Sequence, residues 1–403
     1  MAISSQPDAG GFVVAATEQR RARAEAMLSA RPEIERDPWA ALVLGRGWDG
    51  DPNEPGGPRG WAPLLYVTHS CFAAVEPARD LLDRGADPNA FFTNEYGRMS
   101  ALYGAAGRVH DPDLTRLLLE RGANPDDGES LYHATEAASP DCVRVLLEHG
   151  ARVEGTNALA HALDEDRFEH VRLLLEAGAD AAEDAYVAHA VRRGRGPGVL
   201  RLLVEHGAEV DRPGGETWRG NVPLRTPYQH AVLRGRTDVA DALAELGAAT
   251  DVDPADGAVG AVARGERPAA PLPADPDVDV QEVLILTALF RHPGLVIDQV
   301  GPDFRGVVGG SPEGSLLHHA SWVGDARLVR LLLERGADAG GGGSGTPLGW
   351  AAHGSQNWEV GGRDYVAVAE LLAGAGNPIE PGLVEEADGP LYEWLAERLR
   401  TGA

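Results

Sequence analysis

LLDRGADPN (residues 81–89) returns with substitutions as LLERGANPD (118–126), LLEHGARVE (146–154), LLEAGADAA (174–182), LVEHGAEVD (203–211), LAELGAATD (243–251) and LLERGADAG (332–340). Each copy closes a leucine-bearing helix with a glycine, the residue that enters the left-handed conformation at a helix C-terminus without a steric cost. The Ala-Asp, Ala-Asn or Ala-Glu that follows opens a turn. One short supersecondary unit is therefore copied along nearly the whole chain, which is the mark of a repeat array.

About one helix upstream of these endings stand matching openings: GESLYHATEAA (128–138), RTPYQHAVLRGR (225–236), GSLLHHASWVGD (314–325) and GTPLGWAAHG (345–354). Thr or Ser caps the first helix and Pro suits its first turn. Together the openings and endings resemble ankyrin repeats, whose T-P-L-H-x-A signature begins two antiparallel helices joined to the next pair by a β-turn finger. TPR units would carry a Trp-Leu-Gly-Tyr spacing and no finger, and HEAT units would be longer and lack the Gly-Ala-Asp turn. The resemblance covers about residues 60–380 and implies an all-α, ankyrin-repeat α-solenoid of helix-turn-helix units with degenerate capping repeats. Composition and the whole-chain array further resemble the ankyrin-repeat proteins of GC-rich actinobacteria, and so a bacterial chain.

The repeat glycines Gly85, Gly122, Gly150, Gly178, Gly207, Gly247, Gly336 and Gly374 are unevenly spaced. A constant two-helix part places the variation in the fingers, short near Gly150 and Gly178 and extended around Tyr96, Trp218 and Trp358. The long gap before Gly336 reads as degenerate units. ADGAVGAVARGE (255–266) forms a first helix that the proline-rich RPAAPLPADPD cannot continue, and in EVLILTALFRHPGLVIDQVGPDF (282–304) HPG punctuates two helices. This stretch is expected to be the weak point of the stack and a possible hinge. The organisation expected is a single array: a helical cap and degenerate repeat over 1–59, repeats over 60–252, degenerate repeats over 253–310, repeats over 311–378, and capping helices over 379–403. Terminal units need polar outer faces.

The 403 residues carry a formal net charge of −26, and every one of the 36 basic residues is arginine. A strongly negative surface repels phosphate backbones and anionic membranes, so neither nucleic acid nor membrane is an expected partner. The first twenty residues lack a basic start and a long apolar core, and VLILTALF (283–290) is too short to span a bilayer. Cys71 and Cys142, without a CxxC partner, suit neither a disulfide framework nor a zinc ribbon. A cytoplasmic monomer is expected.

No cofactor or metal is expected, and no catalytic residue. His133, His161, His189, His230 and His319 recur just before an Ala on the first helix of five repeats. Rings on helices about 8–10 Å apart would rarely converge on one ion, so each is read as bonding a neighbouring finger or carbonyl; His318 is read as structural too. WDGDPNEPGG (48–57) offers Asp49, Asp51 and Asn53 in alternation but lacks the glycine and glutamate of a calcium loop, and reads as a solvated turn. AGGGGSG (339–345) has no P-loop lysine.

Aromatic-Arg-Gly patterns in the long fingers are more suggestive. ETWRGNVP (216–223) and PDFRGVVG (302–309) share a tip, and another finger crowds Phe91, Phe92, Tyr96 and Arg98. Aromatics and arginine are enriched among the residues that dominate interface energy. Trp48, Phe91, Phe92, Tyr96, Arg98, Trp218, Arg219, Phe304 and Arg305 are accordingly the candidate partner-binding residues. The ankyrin resemblance implies a non-catalytic scaffold or regulator holding a partner protein, of basic or mixed charge, on the concave face and finger tips. The alternative is a small-ligand or peptide sensor with a pocket between extended fingers near residues 91–103 and 213–230.

Overall fold

The computed structural model describes residues 9–215, 223–340, 345–357 and 363–401. Trp218, Arg219 and Trp358 lie outside the described residues. The chain divides into two compact units, Met1–Glu209 and Val210–Ala403, each a succession of helical hairpins linked by fingers.

Leucines at helical spacing build the second helix of each hairpin. In Pro112–Glu120 the buried side chains are Leu114, Thr115, Leu117, Leu118 and Leu119, and Asp111 caps the N-terminus by accepting from the Asp113 and Leu114 amides at 3.0 Å. The recurrent ending then closes in one way throughout. After Val75–Asp83, the Gly85 amide donates to Leu82 O at 3.0 Å and the Ala86 amide to Leu81 O at 2.9 Å, the paired bonds of a Schellman cap. The repeat glycine adopts a left-handed φ that runs from 89° at Gly150 and Gly336 to 99° at Gly207. In the last repeat the capping residue is Gly376 (φ 92°) and not Gly374, which ends the Tyr365–Gly374 helix. Ala-Gly-Ala-Gly offers two glycines, and the Asn377 amide bond to Leu372 O selects the second.

Successive fingers are strapped by a side chain at the end of the motif. Asn89 donates to Gly122 O at 3.0 Å and accepts from the Asn124 amide at 2.8 Å; Asp126 accepts from the Arg152 amide at 2.8 Å. In the second unit, Asp211 accepts from the Ala249 amide at 2.9 Å and Asp303 from the Asp338 amide at 2.8 Å. The loop read as a solvated turn belongs to the same series: Asn53 donates to Gly85 O at 2.7 Å and accepts from the Asp87 amide at 2.8 Å. Its Asp51-Pro52-Asn53 repeats Asp87-Pro88-Asn89, a correspondence the sequence offered and the reading missed.

In the second unit, Pro254–Ala263 forms the expected helix and the proline-rich segment after it stays non-helical until Val278. The helix Val278–Phe290 is buried around much of its circumference, with Val280, Val283, Leu284, Ile285, Ala288 and Leu289 in the core. Arg225, 6% exposed, anchors this stretch: it meets Asp256 at 2.8 Å, Asp277 at 2.7 Å and Asp279 at 3.5 Å. The proline-rich link is thus flanked on both sides by carboxylates bound to one buried guanidinium.

Candidate partner-binding groove

The extended finger at residues 91–100 is a two-stranded hairpin, Phe91–Asn94 paired antiparallel with Gly97–Ser100, in which Phe92 faces Met99 and Thr93 faces Arg98. Side chains alternate across such a ribbon, so the candidates clustered in sequence divide between its faces. Phe92, Asn94 and Met99 turn to one side, where they line a groove of about 610 Å³ with Tyr96 at the tip. Phe91 and Arg98 lie on the other, the guanidinium 3.9 Å from the ring centroid. Tyr96 is 79% exposed and Phe91 50%.

The groove's wall is an aromatic stack contributed by the preceding repeat. Trp61 lies parallel to Phe92 with centroids 4.1 Å apart and an interplanar angle of 14°. Tyr66 and His69 pack on Trp61 at 5.5 Å each, and Tyr103 closes the far side, 5.9 Å from His69 and 5.1 Å from His133. Pairs of this kind are worth about 0.5–1.5 kcal/mol beyond their buried area, so the hairpin's base is rigid while its tip is bare. After Tyr103 the chain takes a wide π-helical turn over Gly104–Val109, a geometry often found at functional sites. It carries the exposed Arg108 to the groove. Gly104 is needed there because a Cβ would stand 2.5 Å from the His69 ring.

Several of the groove's charges are already engaged. Arg59 donates to Thr17 Oγ1 at 2.7 Å and Glu18 Oε1 at 2.8 Å, and its guanidinium sits 4.9 Å from the Trp61 ring. His133 is held between Glu136 at 2.6 Å and Glu129 at 3.3 Å. His69 is different. Nδ1 lies 3.0 Å from Leu65 O; a carbonyl can only accept, so Nδ1 carries the proton. Burial pushes the ring's pKa down to about 3, leaving Nε2 an acceptor with no hydrogen-bond partner among the described residues.

The histidine ladder bonds its neighbours. His161 meets Thr135 at 2.7 Å, His189 meets Asp164 at 2.7 Å, His230 bonds Gly214 O at 2.7 Å and His319 bonds Gly306 O at 3.1 Å. His318 joins the Ser315 cap at 2.8 Å. Among the described residues no three His, Cys, Asp or Glu side chains converge as metal ligands would.

Three further candidates among the described residues, Trp48, Phe304 and Arg305, do not line the groove. Trp48 is half-buried against Trp39 at 4.3 Å and its Nε1 donates to Asp51 O at 3.1 Å, so it anchors the 48–57 loop. Phe304 packs partly buried against the second unit's core, and Arg305 pairs with Glu313 across a short hairpin at 3.1 Å. The aromatic at this finger fills the gap beneath it instead of presenting a tip. Trp61 and His69, which do line the groove, were not among the candidates; the first stands beside an Arg-Gly in PRGWAPL (58–64), a permuted form of the finger pattern.

The family model of ankyrin repeats (three copies) matches residues 102–184. Among solved structures, the chain is similar to the human ASB11 ankyrin repeat domain, at 20% identity and TM-score 0.39, covering 58% of this chain and 96% of that one. It is also similar to the ankyrin repeat domain of Bcl-3, described as a unique member of the IkappaB protein family, at 24% identity and TM-score 0.35, covering 58% and 97%. No curated protein matches. Among the described residues, no helix is long and apolar enough to cross a membrane. Residues 102–184 thus match ankyrin repeats, and the same helix-hairpin and Gly-capped finger geometry recurs before and after them, so the fold is of the all-α ankyrin-repeat class.

Proposed function

We propose that the chain is a non-catalytic, cytoplasmic interaction module that holds a partner protein on the 91–100 hairpin and the groove beside it. One observation carries this reading: an exposed Tyr96 on a hairpin whose base is packed by the Trp61–Phe92 stack. A large aromatic held out to solvent on a rigid support offers contact area at little conformational cost. The net charge of −26 favours a partner of basic or mixed charge, steered over a screening length of about 8 Å at physiological salt.

The test is capture of partners from the source organism's cytoplasm on wild-type chain and on a Tyr96→Ala/Phe91→Ala variant. Both positions are exposed, so helical content is expected to stay unchanged while the captured protein is lost. Equal retention by both baits would remove the hairpin from the function. A second reading, a small hydrogen-bond donor bound in the same groove, draws on the orphaned His69 Nε2. Such a ligand would raise the melting temperature of wild type and of Phe91→Ala alike, Phe91 being on the hairpin's other face.

A further inference from the structure

The second unit carries a cavity of about 680 Å³ that the partner-binding reading does not use. Its floor is the first-helix face of three successive repeats: Leu286, Leu289 and Phe290 from Val278–Phe290, Trp322 from Leu316–Trp322, and Trp350 from Pro347–Asn357, with Val308 and Pro312 of a finger as one wall. Trp322 and Trp350 meet edge to face at 6.0 Å. Their helices approach so closely at Gly354 that a Cβ there would lie 2.1 Å from Trp322 O, so the two indoles are held by backbone contact. Phe290 is 49% and Leu286 37% exposed, a large apolar area to leave in water. The volume lies within the roughly 300–1,000 Å³ of small-molecule sites, and an aromatic lining with a few polar groups is what such sites show.

The lining also has a sign. Among the described residues it includes no arginine, and its one carboxylate is Glu386, exposed at the rim and without an ion-pair partner there. His319 is kept neutral by burial, which lowers its pKa to about 4 against the opposing effect of its bond to Gly306 O. Indole and phenyl faces carry negative potential and attract cations held over them. Apolar volume, aromatic faces and one carboxylate all favour the same kind of molecule.

We infer that this cavity is a binding site for a small amphipathic organic cation, an aryl or alkyl amine whose apolar body lies on Trp322, Trp350 and Phe290 and whose ammonium group faces Glu386. The site is independent of the hairpin and its groove. The test is calorimetric titration of the full chain with three probes of matched length: phenylbutylamine, phenylbutanol and phenylbutyrate. The amine is expected to bind saturably, one per chain, about tenfold more tightly than the alcohol, given cation–aromatic attractions of about 0.5–2 kcal/mol, with the carboxylate weaker still. Glu386→Gln is expected to weaken the amine several-fold and leave the alcohol unchanged. Trp322→Ala should weaken both, and Tyr96→Ala, in the other unit, neither. Absence of saturable amine binding would overturn the site. Equal affinity for amine and alcohol, or an amine affinity unmoved by Glu386→Gln, would overturn its cationic class.

Discussion

His69 occupies a place where the repeat pattern calls for an apolar side chain. Counting from Pro63 as from Pro227, the ladder position falls on Tyr66 and His69 stands where Leu233 stands. A histidine there is buried with the core, 2% exposed, and its pKa falls to about 3 from 6.5. The unfolded chain then binds a proton that the folded chain refuses between these values. The contribution of His69 to stability is accordingly full above about pH 6.5 and falls by about 1.4 kcal/mol per pH unit as the pH drops towards 3, beside a like fall from His319, whose pKa burial lowers to about 4. Urea denaturation at pH 7, 6 and 5 should show this fall, and His69→Leu should lessen the slope by about 1.4 kcal/mol per pH unit; an unchanged slope would assign the acid sensitivity to other groups. The residue was hidden in the sequence because VTHSC carries no motif, and only the approach of Gly104 and the surrounding rings gives it a special environment.

Between Pro254–Ala263 and Val278–Phe290 the repeat loses a helix, and the sequence there suggested a weak link. Buried charges flank that link. Arg225 faces Asp256, Asp277 and Asp279 from a position 6% exposed, and Arg234 reaches Asp279 at 3.5 Å. Burial works against the Arg225 charge, but the bonds to Asp256 and Asp277 raise its pKa above the ordinary value. Such a network is fragile when one partner is removed, since the remaining charges stay buried. Arg225→Met is expected to destabilise the protein by about 3–5 kcal/mol, measured by urea denaturation, with amide exchange accelerating first in residues 264–277. A loss under about 1 kcal/mol would show that water reaches these carboxylates in place of the guanidinium. The motif RTPYQHAVLRGR announced the helix and its Thr226 cap, and the capping box with Gln229 is present. It gave no sign that Arg225 would be sequestered, because its partners lie in segments whose own pattern had degenerated.

The chain as a whole carries 62 acidic residues against 36 arginines, and self-repulsion of that size works against compact states. Raising sodium chloride from a few millimolar to physiological strength should therefore raise the melting temperature, and a flat response would mean that the surface ion pairs already neutralise the excess locally. The helix hairpins, their glycine caps and their fingers were readable directly, because each is a local event: a left-handed glycine, a leucine stripe and a proline first turn need only their immediate neighbours. The Asn and Asp straps between fingers were half readable, as a recurrent residue without a stated bond. The groove and the second unit's cavity were not readable. Trp61 meets Phe92, and Leu286 shares a cavity with Trp350, only after successive hairpins stack. Strand alternation likewise sends Phe92 and Arg98 to opposite faces of one hairpin. Sequence alone determined the repeat and its fold class through short-range backbone preferences; which side chains share a surface was decided by stacking and register, which bring together residues from different repeats.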